Sequence, residues 1–318
     1  MALLPAIAAA MNDAPPAPSP LEHPPDHIRR WAAGLRAGQG PPEKLRAVEQ
    51  RVVAGRDRSI PVRIYRPDAV GSLPTVVAAH GGWFAWGDLD ILEQPASALA
   101  AAADAVVVSV EYALAPEAPF PAGLDDVIDV LSWANEHIGD LGNDSGRLYL
   151  FGESAGATIA AGAAIEARAG GAPRVAGQVL VVPPTDPTLD TESWSLFDGI
   201  QLPKDWARFY WRQYLGGATP ESAPLACPLH VADLTGLPST FVLTAEYDPL
   251  RDEGEAFARR VASAGAPTTA RRYLGMPHGM LYLNGITDAT RAVTQDIASF
   301  VNGVSPKPRV EAMDLVLT

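Results

Sequence analysis

At 318 residues and a net charge of −13, with its three lysines (Lys44, Lys204, Lys307) scattered, the chain has no basic stripe for a phosphate backbone to follow. That excludes nucleic acid as an expected partner, and the acidity reads as a self-repelling, soluble surface. The single cysteine, Cys227, excludes an intramolecular disulfide, and no second cysteine or histidine cluster at metal-ligand spacing surrounds it, so a structural role is expected and no metal. The length accommodates one large α/β domain with a lid, or two smaller domains.

The first ten residues have the small apolar look of a signal peptide, but they lack a basic start and are interrupted by Pro5. They are read as a mature amphipathic segment. No apolar run approaches the ~20 residues that span a bilayer, so no stable membrane insertion and a cytoplasmic, soluble protein are expected. Residues 1 to 45 are rich in proline and alanine, with one helical piece from Asp26 to Ala37 whose Ile28, Trp31 and Leu35 make one apolar face, a cover rather than a core. Val48 to Tyr65 reads as an antiparallel hairpin with apolar alternation at Ile60, Val62 and Ile64, broken at Gly55-Arg56-Asp57. Buried strands are then expected at Thr75–Ala79, Ala105–Val110, Leu148–Phe151, Gly177–Val182, Thr240–Thr244 and Thr269–Tyr273. Helices are expected at Gly123–His137, Ala155–Ala169, Glu253–Ala264 and Thr287–Val301. Continuous apolar strands separated by helices imply an α/β fold with a mainly parallel sheet covered on both faces. The alternation is interrupted between Pro183 and about Asp233 by a stretch rich in Trp, Tyr and Pro that holds a helix over Lys204–Tyr214. Such an insertion after a strand is usually a lid or a specificity element.

The chemistry centres on Gly152-Glu153-Ser154-Ala155-Gly156, which follows the apolar strand Leu148–Phe151 and opens an alanine-rich helix. This is the context of a nucleophile elbow, where small residues flank a serine on a tight strand-to-helix turn. The N-terminus of the following helix aims free N–H groups and its positive dipole end at the serine oxygen. A serine hydroxyl is a poor nucleophile until a base takes its proton, so a histidine oriented by a carboxylate is required further along the chain. Only His230 and His278 follow Ser154. His278, in the glycine-bounded loop Gly275–Gly279 after the last expected strand, is the chosen base, whereas His23, His27 and His137 read as surface or core residues. The candidate acids are Glu246, Asp248, Asp252 and Glu253, all just past the strand ending at Thr244. Pro249 holds Asp248 out of the helical region and so in the loop. Asp248 is therefore the choice, with Asp252 the fallback, since Asp252 and Glu253 suit the first turn of the next helix. Backbone donors for an oxyanion are expected from Gly81, Gly82 and Trp83, directly after the strand Thr75–Ala79, and from Ala155 behind the nucleophile.

With these residues in place the chain closely resembles the hormone-sensitive-lipase-like (bacterial family IV) carboxylesterases of the α/β-hydrolase fold, from about Val48 to Val301. The resemblance rests on His80-Gly-Gly-Trp-Phe-Ala-Trp-Gly-Asp-Leu-Asp90, Glu111-Tyr-Ala-Leu-Ala-Pro-Glu117, Pro119-Phe-Pro-Ala122, Gly152-Glu-Ser-Ala-Gly156, Leu237-Pro238, Asp248-Pro-Leu-Arg-Asp-Glu-Gly254 and His278-Gly279. It implies Ser154 as nucleophile, Asp248 as acid and His278 as base, and hydrolysis of small-molecule esters, usually of short acyl chains, without a cofactor. It also implies a helical cap. Residues 1–45 would be its N-terminal part, 46–183 and 234–303 the two parts of the hydrolase core, 184–233 the cap insertion and 304–318 a C-terminal tail. A homodimer through the last strand and helix is a family-level expectation. The rival readings are an amidase or lyase using the same triad, and a non-catalytic ligand receptor of the same fold.

Five positions depart from the family pattern. Trp83 stands where a third glycine is usual, and its indole is expected in the pocket wall, narrowing the site. Ala113 replaces a common arginine, leaving Glu117 without its usual partner. Glu153 replaces a more frequent aspartate, and Pro277 and Met280 beside His278 replace Asp and Phe. Trp194, Phe197, Trp206, Phe209, Tyr210, Trp211 and Tyr214 of the insertion are candidates either for lining a pocket or for packing the cap.

Overall fold

The computed structural model describes residues 2–142, 146–306, 309 and 312–317, so Lys307 lies outside it. Helices α1 (Pro5–Asp13) and α2 (Pro25–Ala33) come first, each with proline in its first turn, where no helical N–H is missed. The hairpin β1 (Ala47–Ala54) and β2 (Ser59–Arg66) follows. The alternating part runs β3 (Thr75–Ala79), α3 (Glu93–Ala103), β4 (Val106–Val110), α4 (Ala122–Glu136), β5 (Leu148–Glu153), α5 (Ala155–Ala169) and β6 (Gly177–Val181). Then come α6 (Glu192–Phe197) and α7 (Lys204–Leu215) of the insertion, and β7 (Ser239–Tyr247), α8 (Arg251–Ser263), β8 (Thr268–Pro277), α9 (Ala289–Val301) and β9 (Ala312–Asp314).

The strands form one sheet in the order β1-β2-β4-β3-β5-β6-β7-β8-β9. The strands from β3 to β8 run parallel, whereas β1, β2 and β9 pair antiparallel. Every residue of β3, β4, β5 and β6 is buried, because helices cover both faces. Alternate residues feed two cores. Val77, Val108, Leu150 and Val242 pack with Val127, Ile159 and Phe257 of α4, α5 and α8. Val76, Val107, Phe151 and Leu243 pack with Leu99, Val293 and Ile297 of α3 and α9.

Four elements go beyond the sequence expectation, helix α1 (Pro5–Asp13) being the first. Helix α3 carries Pro95 and a run of alanines, which blurs its apolar period. Helix α6 is a short piece of the insertion. Strand β9 exists through pairing with β8, where Arg271, 1 % exposed, donates to Asp314 (2.9 Å) and to Asp296 (2.6 Å). The chain's own C-terminal segment thereby covers the strand edge at which a dimer was expected. At the other terminus α1 is anchored rather than laid over the surface. Ile7 is fully buried with Met276, Met280 and Leu281, and Leu4 donates its N–H to Gly275 O at 3.0 Å.

Candidate active site

Ser154 sits between β5 and α5 with φ 53° and ψ −123°, in the left-handed half of the map where a side chain costs roughly 1–3 kcal/mol. Close packing enforces the turn. A Cβ on Gly152 would lie 2.2 Å from Gly156 O, and one on Gly156 would lie 2.2 Å from Ala79 O at the end of β3. The Ser154 N–H donates to Val181 O at 2.8 Å, which fixes the elbow to β6.

The loops after β7 and β8 bring the expected base and acid to this serine. His278 Nε2 lies 2.9 Å from Ser154 Oγ, and His278 Nδ1 lies 2.9 Å from Asp248 Oδ2. A carboxylate only accepts, so Nδ1 carries the proton and Nε2 faces the serine as acceptor. Asp248 is fully buried and its other oxygen accepts the Leu250 N–H at 2.9 Å, so it stays in the loop before α8. Asp252, the fallback, points elsewhere, accepting the Ser193 N–H and pairing with Arg251. His230 pairs with Asp186, away from the serine. Burial pulls the His278 pKa down, but the charge and hydrogen bond of Asp248, with help from Glu153, outweigh it and leave it above 6.5.

The loop after β3 is the second half of the site. Its donors need one correction: the Gly81 N–H is taken up by Tyr282 Oη at 3.2 Å, so Gly81 anchors the loop rather than facing a ligand. The N–H groups of Gly82, Trp83 and Ala155 have no acceptor among the described residues. Behind the loop, His80 is fully buried, kept neutral with its pKa near 4 by desolvation, and stacked on Tyr112 at 4.3 Å. The Trp83 indole stacks on Tyr210 of α7 with centroids 6.0 Å apart, and Phe84 stacks on Tyr214 at 3.7 Å. The expected isolation of Glu117 is also corrected. Arg29 of α2 pairs with both its oxygens at 3.0 and 2.7 Å, so the cation comes from α2 instead of from position 113. Arg29 and Tyr282 escaped sequence reasoning as parts of the site. Each meets it from a distant segment, Arg29 reaching Ala85 across 56 residues and Tyr282 reaching Gly81 across 201.

Glu153 bridges the halves. Its buried carboxyl fills the space that a Cβ on Gly81 would enter, 1.9 Å from Oε2. Burial raises its pKa to about 7, against the lowering effects of His278 and Tyr282.

Most of the insertion aromatics pack. Trp194 is fully buried and donates Nε1–H to Glu253 Oε2 at 3.0 Å, and Trp211 and Tyr214 are buried against the body. Glu253 therefore does more than favour the start of α8, since it also accepts the Thr185 and Asp186 N–H groups. Burial pushes its pKa up to about 8. Phe209 and Tyr210 line a small cavity of about 30 Å³ with Ile28, His23, Ala85 and Trp86, between α2, α7 and the Trp83 loop. Cys227 is buried and unbridged, with its thiol pushed up to about 12 by burial.

The α/β hydrolase fold family matches residues 76–282 of the chain. The chain is 40% identical over 268 residues to carboxylesterase NlhH of Mycobacterium tuberculosis, covering 81% of this chain and 83% of that protein. It is 32% identical over 282 residues to an arylesterase of Saccharolobus solfataricus, covering 87% and 90%. Among solved structures it resembles an esterase from Pyrobaculum calidifontis at a TM-score of 0.86 and 33% identity, over 95% of this chain and 98% of that one.

Proposed function

The chain belongs to the hormone-sensitive-lipase-like branch of the α/β-hydrolase family, and from that premise we propose that it is a serine carboxylesterase of short-chain acyl or aryl esters. The observation that carries the reading is the continuous relay from Asp248 through His278 to Ser154, with both contacts at 2.9 Å. In this reading His278 Nε2 takes the Ser154 proton as Oγ attacks the ester carbonyl, and Asp248 holds the imidazole in the needed tautomer and stabilises the imidazolium. The N–H groups of Gly82, Trp83 and Ala155 receive the oxyanion, each contributing about 3–4 kcal/mol to the transition state. His278 then protonates the leaving alcohol, and water, deprotonated by the same base, releases the acid from the acyl-enzyme. A short acyl group suits a site walled by the Trp83 indole, which is held against Tyr210 of α7.

The reaction so written needs no cofactor and no nucleic acid, and a cytoplasmic enzyme on a small-molecule ester is the setting we infer. No helix among the described residues is long and apolar enough to cross a membrane. The test is hydrolysis of p-nitrophenyl acetate by stopped flow. A burst equal to the enzyme concentration is expected where deacylation is slow, and Ser154→Ala should lose about 10⁴-fold or more in kcat. Full activity in Ser154→Ala would refute the reading.

A further inference from the structure

The loop that carries the Gly82 and Trp83 N–H groups passes through three successive left-handed residues, Gly82 (φ 121°), Trp83 (φ 52°) and Phe84 (φ 61°). Two aromatic side chains in that region are not held there by local preference, so contacts from elsewhere must hold the loop. On the ring side Tyr210, Trp211 and Tyr214 of α7 do so. On the backbone side Tyr282 holds Gly81 at the start of the loop, and a guanidinium holds the segment past Trp83. Arg29 on α2 donates from Nε to Ala85 O at 2.9 Å, from Nη2 to Ala115 O at 3.2 Å, and from both Nη atoms to Glu117. The Ala115 N–H in turn donates to Phe84 O at 2.8 Å, closing a ring of bonds around the segment just past Trp83. The planar fork of an arginine spans two carbonyls and a carboxylate at once, whereas a lysine ammonium, a single point of charge, does not.

We propose that Arg29 is a positioning residue for the oxyanion loop, making the N-terminal helix part of the catalytic apparatus and not only its cover. This rests on the reading of Gly82 and Trp83 as oxyanion donors. Arg29 reaches the loop through the Ala85 and Ala115 carbonyls, so its effect falls on where the donors point. Helix α2 keeps a second hold on the loop through the edge-to-face contact of Trp31 with Trp86, centroids 6.5 Å apart, so losing the guanidinium leaves the helix docked.

The test compares Arg29→Ala, Arg29→Lys and Glu117→Gln with the unaltered chain, by p-nitrophenyl acetate kinetics, by the rate of inactivation with a fluorophosphonate, and by thermal unfolding. Arg29→Ala should lose about 10- to 100-fold in kcat, corrected for the folded fraction, with KM within about threefold. Fluorophosphonate inactivation, in which negative charge builds on the phosphoryl oxygen as Ser154 Oγ adds to five-coordinate phosphorus and fluoride leaves, should slow by a similar factor. Arg29→Lys should recover part of kcat, and Glu117→Gln should lose only about two- to fivefold because the carbonyl bonds survive. A rise in KM with kcat unchanged, or a kcat loss that only follows the folded fraction, would overturn the proposal. If the unaltered chain is acylated at Ser154 and Arg29→Ala matches it, this proposal alone fails. If the unaltered chain neither hydrolyses the ester nor reacts with the phosphonate, the underlying reading fails with it.

Discussion

The nucleophile elbow and the oxyanion loop are both tight turns at the carboxyl ends of neighbouring parallel strands, β5 and β3, and both hold non-glycine residues at positive φ. They are held in different ways. The elbow is fixed from within the body, by backbone packed against Gly152 and Gly156 and by the Ser154 bond to β6. The oxyanion loop is fixed at its start by Tyr282 on the Gly81 N–H, and past Trp83 by aromatic stacking on α7 and by the Arg29 guanidinium on α2. Ser154 and Ala155 are thus set by the core alone, whereas the loop carrying Gly82 and Trp83 depends also on α2 and α7.

The sharpest way to break this contrast is at the elbow. In Gly156→Ala the new methyl meets the Ala79 carbonyl at 2.2 Å and the His80 carbonyl at 2.5 Å, both backbone, so relief requires the end of β3 to move. Denaturant unfolding should show a loss of about 3 kcal/mol or more, with activity lost alongside. Wild-type stability in this variant would mean that the elbow is not held by close packing.

Asp248→Asn separates the chemistry from the packing. Its kcat should fall about 10³- to 10⁴-fold with the fold intact. The pH profile gives the sign. His278 must be neutral to act as base, so kcat/KM rises as the pH passes its raised value, above the ordinary 6.5. Without the Asp248 charge, burial prevails and the rising limb should move to lower pH. A limb that stays in place would show that Asp248 does not set the basicity of His278.

Glu153 tests how the two halves are joined. Its folded-state value near 7 exceeds the ordinary 4.5, so its contribution to stability is full below pH 4.5 and is lost as the pH rises through 7. Between pH 5 and pH 8 the unaltered chain should lose about 2–3 kcal/mol more than Glu153→Gln. Parallel stability curves for the two proteins would contradict a buried, charge-averse carboxyl at this joint.

The smallest effect is expected at Trp83→Gly, which relieves the strained φ and removes the ring stacked on Tyr210. Relative kcat/KM for octanoyl over acetyl esters should rise about three- to tenfold, about the discrimination one or two methylenes bring to a pocket. An unchanged chain-length profile would mean that the indole does not narrow the site.

The residues legible in the sequence were those whose requirement is local. Gly152 and Gly156 bracket Ser154, Pro249 holds Asp248 in its loop, and His278 follows the last parallel strand, so each could be read within a few positions. The sheet was legible for the same reason, since β-branched runs announce buried parallel strands. What escaped is what folding brings from afar. Position 113 offers Glu117 no cation, while the fold supplies Arg29 from 88 residues away. Gly81 was counted as a donor because nothing near it in sequence signals that Tyr282 claims its N–H. Strand β9 is three residues long, too short to carry any period, and exists through its pairing with β8.

The central claim is that Ser154 is the nucleophile activated by this relay. Mass spectrometry of the protein after fluorophosphonate treatment tests it most directly. One adduct per chain on the peptide carrying Ser154, absent from folded Ser154→Ala and strongly slowed in His278→Ala, is the predicted result. A folded chain that takes up no phosphonate, or takes it up on another residue, would contradict it.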